Sequence, residues 1–203
     1  NRTINYKLLE DMIVNPYKYI TNIKEKSYTD AQKALQKGLI ELNQNYEIHD
    51  ISIKELCKSA HVARSTFYAY YNNVIELQED IENDLVYNLL KLNDDFRNSA
   101  IKSEEDLEFF KNTYNYILEN KQIFYTFLIT NPNVRFIEKW KEAIKYHFWE
   151  RLFCNGNSRN DKFVLELIST QAVTAFAFWL KNPYDVNMKD VNEIIIQTLN
   201  ILK

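Results

Sequence analysis

The chain is expected to be all-α, and three observations carry that expectation. Its 203 residues include only 2 Gly and 3 Pro, too few turn-formers for the many short strands of a β fold. Long breaker-free stretches separate them, with apolar residues recurring at helical spacing. Hydrophobic residues make up 46%, enough for a sizeable core in one large domain or two small ones.

Residues 1–28 form an extension. A short helix over 4–14 would align Ile4, Leu8 and Met12, and Pro16 interrupts it. The extension mixes basic and acidic residues, so it reads either as a packed or unstructured segment or as an arm toward a DNA minor groove. Thr29 is a plausible N-cap for a first helix over 29–45, with Ala31, Ala34, Leu35, Leu39 (or Gly38) and Leu42 as its buried stripe. Ser52 followed by Glu55 is a capping box, and Ile53, Leu56 and Ala60 give the following helix one apolar stripe. After a break at Ala60–His61–Val62, a second short helix over 63–71 stacks Phe67 and Tyr71 at i,i+4. Its other face carries Arg64, Ser65, Tyr68 and Asn72. Asn73 with Glu76 marks a third start, opening a helix over 73–98 that would span roughly 39 Å. Ile75, Leu77, Ile81, Leu85, Leu89 and Leu92 are its expected inner side.

Further on, Ser103-Glu104-Glu105-Asp106 caps a helix over 103–120. A short aromatic helix over 121–130 ends at Asn131-Pro132, and another helix covers 134–153. The next opens at Asn160 and closes at Leu180, ahead of Asn182-Pro183; the last runs from Met188 to Leu202. Both of these are apolar on more than one side, so each is expected to be buried on more than one side. A subunit interface explains that economically in a chain of this size; an intramolecular core is the other reading.

Two short helices joined by a tight turn, the second with a polar, non-acidic outer face, suit a DNA major groove. The stretch 52–77, SIKELCKSAHVARSTFYAYYNNVIEL, resembles the DNA-binding signature of the TetR/AcrR family of bacterial transcriptional regulators. Ser52, Ile53, Lys54, Ala60, Val62, Arg64, Thr66, Phe67, Tyr68, Tyr70, Tyr71, Glu76 and Leu77 stand at matching or similar positions. The likeness covers about residues 30–77; beyond it only the helical layout is similar. His61 replaces the usual turn glycine and must adopt a left-handed backbone or use another turn. Ala63 replaces a serine, so the recognition helix would lack a side-chain cap. Ser65 replaces a common glycine, and Val74 stands where many members have a phosphate-touching lysine.

The resemblance implies three segments: an extension (1–28), a three-helix helix-turn-helix DNA-binding domain (29–73) and a C-terminal helical effector-binding and dimerisation domain (74–203). By position on the helices, Arg64 and Ser65 face base edges, where arginine can donate two bonds to a guanine. Thr66, Tyr68 and Tyr70 offer hydroxyls to phosphates, Ser52 and Lys54 clamp the backbone, and Asn72 and Asn73 add phosphate contacts. For Tyr70 core packing is the competing role; for Arg64 it is a surface salt bridge. The implied partners are a double-stranded DNA operator, a second copy of the chain through the last two helices, and a small apolar or aromatic effector. Phe109, Phe110, Tyr114, Phe124, Phe127, Trp140, Tyr146, Phe176 and Trp179 are candidate effector contacts, although aromatics at helical spacing are more often core.

The formal net charge is −3, which is not by itself a nucleic-acid signature. Residues 29–73 balance five cations (Lys33, Lys37, Lys54, Lys58, Arg64) against five acids (Asp30, Glu41, Glu47, Asp50, Glu55). That balance, with Ala63 and Val74, keeps a second reading open: a module of the same fold that binds another protein. Enzyme signatures such as HExxH, a P-loop, GxSxG or GxGxxG are absent, no Glu-x-x-His occurs, and His49, His61 and His147 are scattered. No enzyme activity, cofactor or metal is expected. Cys57 and Cys154 read as buried free thiols in a reducing cytosol, or as a redox switch. With no signal peptide and no apolar run of about 18 residues, a cytoplasmic protein with no membrane partner is the expectation.

Overall fold

The computed structural model describes residues 15–94, 103–153, 161–187, 189–191, 193, 194 and 197; for 103–109 and 150–153 it describes the backbone only. Every regular element among them is helical. The expected helix over 4–14 and residues 95–98 lie outside the described residues, as do Cys154 and most of 188–202.

Four helices make the N-terminal unit and its exit. Helix α1 (Asp30–Asn43) starts with a capping box between Thr29 and Gln32, and α2 (Ile53–Ser59) with one between Ser52 and Glu55. Helix α3 is short (Arg64–Tyr68), and Ala63 offers it no side-chain cap. Helix α4 (Val74–Leu92) is capped by Asn73, whose Oδ1 accepts from the Glu76 N–H. Leu35, Leu39, Leu56, Phe67 and Leu77 form the centre of this unit, each almost fully buried. Gly38 allows α1 to cross the end of α2 closely: a Cβ there would stand 3.2 Å from the Ala60 Cβ.

Helix α4 continues into the C-terminal unit, about 28 Å long at 1.5 Å per residue. Its buried face is Val74, Leu77, Gln78, Ile81, Glu82, Leu85, Val86, Leu89 and Leu90. The expected inner side is corrected at its ends, because Ile75 and Leu92 are exposed. Ile75 is two residues from Leu77, which on a helix turns it to the opposite face.

Helix α5 (Ser103–Glu119) and α6 (Lys121–Tyr125) follow, and α6 runs into one π-helical turn, Thr126–Thr130. Helix α7 (Val134–Phe153) packs along α8 (Asp161–Lys181). The boundaries of the last three match the sequence expectation to within one residue. The two long helices are tied by charge: Lys141 and Lys145 of α7 both bond the Glu166 carboxylate of α8. These bonds pull the Glu166 pKa from 4.5 to about 2. The sign is that of a depressed carboxylate, so this stabilisation is present above pH 4.5 and fades as pH falls toward 2.

Helix α8 is long and apolar enough, by length and composition, to cross a membrane, a test that core helices also pass, and 44% of its most apolar window is buried inside the molecule. Its inner face (Leu165, Ile168, Ala172, Val173, Phe176, Leu180) meets the core. The rest of the apolar character is on a stripe facing outward, with Phe163 64% and Phe178 52% exposed and Leu167 between them.

The extension also packs. A 3-10 turn at Lys18–Asn22 lies against α7, with Ile20 in the core. The described part, 15–28, therefore takes the packed alternative.

Candidate nucleic-acid interface

The turn between α2 and α3 shows how this sequence builds a helix-turn-helix without the usual glycine. His61 adopts φ 54°, the left-handed region. The His61 N–H donates to the Lys58 carbonyl and the Val62 N–H reaches back to the Cys57 carbonyl, which is the Schellman pattern that closes a helix C-terminus. An L side chain in that region costs roughly 1–2 kcal/mol. His61→Gly is therefore expected to stabilise the protein by about 0.5–1 kcal/mol in a denaturant melt, the gain being reduced by glycine's freer unfolded state.

Helix α3 is held from behind. Phe67 is fully buried, and Tyr71, which follows the helix, is buried with its hydroxyl accepting from Gln32 Nε2 (3.2 Å) and donating to Asp80 Oδ2 (2.7 Å). Burial, then the bond to Asp80, pushes the Tyr71 phenol pKa well up, so it stays a neutral donor. The α3 backbone is thus pinned between α1 and α4, and the opposite face is left outward. There Arg64, Ser65, Tyr68 (59% exposed) and Tyr70 (39%) are exposed and Thr66 is half-buried. Arg64 makes no ion pair among the described residues. Its charge does act on the buried Cys57 thiol, whose pKa is raised by burial and partly lowered again by Arg64. The Tyr70 ring is tilted against Tyr71, with ring centroids 6.3 Å apart.

Other candidates are already engaged. The Ser52 hydroxyl donates to Glu55 Oε2 (2.6 Å) and accepts from the Glu55 N–H (3.2 Å). Asn72 gives both its backbone N–H and its side-chain amide to Glu76. Asn73 Oδ1 caps α4. These three residues hold helix ends, while Lys54 and Lys58 are exposed cations on α2.

The effector candidates form a packed aromatic cluster. Trp140 stacks on Phe176 (5.7 Å) and meets Phe124 (5.5 Å) and Phe136 (5.9 Å); Phe127 meets Phe136 (5.6 Å). Phe110 touches Phe148 and Phe176, and Tyr114 lies against Trp179 (4.7 Å). The Phe109 side chain lies outside the described residues. Three clefts of about 290, 370 and 440 Å³ open elsewhere: one between Asn43, Ile48 and Asn131–Val134, and two between residues 21–28 and α4. Of the effector candidates, only Tyr146 lines any of the three.

A charge cluster that sequence reasoning missed joins the two units. Glu82 of α4 is 0% exposed and receives Arg135 in a two-pronged bond (Nε–Oε2 2.7 Å, Nη2–Oε1 2.8 Å), together with Lys139 (3.1 Å) and the Asn133 amide (2.7 Å). The signal was present: Gln78 and Glu82 are polar residues in phase with Leu85 and Leu89 on a buried face. Next to it, Asn131 donates to the Asn43 and Tyr46 carbonyls, so the end of the π turn touches the N-terminal unit directly.

A helix-turn-helix on a long linking helix, followed by an all-helical unit, is the architecture of the TetR-type transcriptional regulators, and solved structures of that class share it. The chain is similar to a TetR transcriptional regulator from Streptococcus agalactiae 2603V (TM-score 0.60, 17% identity, 95% of this chain and 98% of that one). It is also similar to FadR, the fatty acid degradation regulator of Bacillus halodurans (TM-score 0.64, 12% identity, 86% and 96%), and to DhaS, the dihydroxyacetone kinase operon activator (TM-score 0.53, 19% identity, 85% and 93%). No protein-family model matches the sequence, and no curated protein matches it. At these identities the likeness establishes the TetR-like fold.

Proposed function

We propose that the protein is a DNA-binding transcriptional regulator, a ligand-responsive repressor that binds a near-palindromic operator as a dimer. The observation that carries this reading is the α3 face: Arg64, Ser65, Tyr68 and Tyr70 point outward from a helix whose other side is fixed by Phe67 and Tyr71. Residues 29–73 serve as the reading domain and 74–203 as the effector and dimerisation domain, with 1–28 ahead of them. Arg64 and Ser65 read base edges; Lys54, Thr66, Tyr68 and Tyr70 contact phosphates. Ser52, Asn72 and Asn73 contribute through the helix ends they hold and through donors those caps leave over.

The exposed stripe Phe163, Leu167 and Phe178 on α8 supports dimerisation through that helix and the one after it, since surface stripes of this kind mark partner faces. A dimer places two α3 helices one DNA turn apart, roughly 34 Å. An apolar or aromatic effector entering among Phe110, Phe124, Phe127, Trp140 and Phe176 would part rings that now touch, and the strain would pass along α4 to the heads. Binding of effector and of DNA would then be reciprocally coupled. The experiment is selection of binding sites from a random DNA pool by the full chain, with footprinting on its own upstream region. Enrichment of a palindrome with half-sites about ten base pairs apart is expected; no enrichment would remove the reading.

The balanced charge of residues 29–73 favours one alternative, a module that binds another regulator through its helical faces. A partner that stays bound at a salt concentration that releases DNA would identify that case.

A further inference from the structure

We infer that residues 15–28 are a brace that sets the pose of the recognition helix, running from α7 to Asp80 on α4 and from Asp80 into Tyr71 and Gln32. The inference rests on α3 being the DNA-reading helix, and it assigns the control of that helix to a segment outside the helix-turn-helix.

The two ends of the segment are fastened to different elements. At one end, buried Asn15 donates from Nδ2 to the Tyr146 carbonyl of α7 (3.0 Å) while its Oδ1 accepts from the Tyr17 N–H (3.0 Å). The Tyr17 ring meets Trp149 edge-on (6.0 Å) and carries Lys145 over its face (5.6 Å). Ile20 enters the core, and the Tyr19 hydroxyl donates to Glu142. At the other end, Lys26 pairs with Asp80 Oδ1 (2.7 Å) and the Tyr28 hydroxyl donates to the Asp80 carbonyl (3.4 Å).

Asp80 is the junction. One carboxylate oxygen takes Lys26 from the brace and the other takes the Tyr71 hydroxyl, which in turn holds Gln32 of α1. Lys26 also stands over the rings of Tyr28 (5.4 Å) and Tyr71 (5.9 Å), so it touches the residue behind α3 both directly and through the shared carboxylate. Asp84 lies one turn further along the same face of α4, and its pKa is raised by burial and by the Asp80 charge. Lys26 is the cation paired with Asp80, whose negative charge is felt by Asp84. Without it, Asp80 faces Asp84 uncompensated and its hold on Tyr71 loosens. A segment that only covered apolar surface would need Ile20 and Tyr17 but not this polar relay.

The test is hydrogen–deuterium exchange of the full chain without DNA. Three variants are compared with the parent: Lys26→Met, Asn15→Ala, and Lys37→Met. The last is a control on the same unit, whose only ion pair among the described residues is the exposed one with Glu41. Lys26→Met is expected to raise exchange over 64–72 by roughly three-fold or more and to leave the middle of α7 unchanged, while Lys37→Met changes neither. Asn15→Ala is expected to raise the same region from the opposite end of the brace. If Asn15→Ala loosens every helix, Lys26→Met alone decides. Unchanged exchange over 64–72 in Lys26→Met overturns the brace. DNA affinity is read separately, with a several-fold loss expected for Lys26→Met on the selected site. If the parent protein selects no site, the regulator reading falls while the exchange result still decides whether the brace exists.

Discussion

Replacing Trp140 with alanine is expected to cost about 3–5 kcal/mol of stability, measured by urea unfolding followed by far-ultraviolet circular dichroism. Trp140 is 2% exposed and touches rings from three directions: Phe124 on α6, Phe136 on α7 and Phe176 on α8. Truncation removes the transfer energy of the indole and leaves a void that three rigid aromatics cannot collapse to fill, and it also removes ring–ring contacts worth about 0.5–1.5 kcal/mol each. A domain of ordinary stability has about 5–15 kcal/mol in total, so the variant should be marginal at 37 °C. The result also bears on the effector. A loss below about 1 kcal/mol would mean that the cluster yields easily and behaves as a pocket closed over itself, not as rigid core.

The second large effect is expected at Glu82. It is fully buried, and its carboxylate is the shared acceptor for Arg135, Lys139 and Asn133. Removing one partner from a buried ion pair commonly costs about 3–5 kcal/mol, because a charge is left without compensation. Here the cations are partly wet, Arg135 38% and Lys139 20% exposed, so they recover some hydration once Glu82 is gone. Glu82→Ala is therefore expected to cost about 2–3 kcal/mol in the same unfolding measurement. Glu82→Gln, which keeps the shape and one acceptor oxygen, should cost roughly half as much. Equal losses for the two variants would show that charge contributes most of the effect; no loss for either would mean that α4 and α7 are joined by apolar packing alone.

Local chemistry was the part of this chain most open to reading. Ser52 with Glu55, Thr29 and Asn73 each announce a helix start because a short polar side chain satisfies a backbone donor within its own turn, and nothing distant competes. For His61 the sequence left two options open, a left-handed backbone or another turn, and the structure takes the first. The helices over 103–119, 134–153 and 161–181 were legible from breakers and periodicity. What stayed hidden depends on contacts between distant residues. The phase of Glu82 with Leu85 and Leu89 marks it as buried, but nothing local names its partners Arg135 and Lys139, over fifty residues away. Residues 15–28 carry no periodicity, and their role emerges only when Asn15 meets Tyr146 and Lys26 meets Asp80. The engagement of Ser52 and Asn72 in caps was signalled by the same residues that suggested phosphate contacts, because the oxygens and amides that suit a phosphate also suit a helix terminus. The aromatic candidates could be picked out by type and spacing, but whether rings at helical spacing fill space or line it is set by how the helices close on one another.

The most direct test is a salt titration of binding to the selected palindrome, comparing the parent chain with Arg64→Ala. With Lys54, Lys58 and Arg64 exposed on α2 and α3, the logarithm of affinity should fall against the logarithm of salt, with a slope of about −0.9 for each phosphate that the dimer contacts. Arg64→Ala should lose about 1–3 kcal/mol on the selected site, relax one base position and bind random DNA almost as well as the parent does. Binding to the palindrome no tighter than to random DNA at low salt, in parent and variant alike, would contradict the assignment of α3 as a sequence-reading helix.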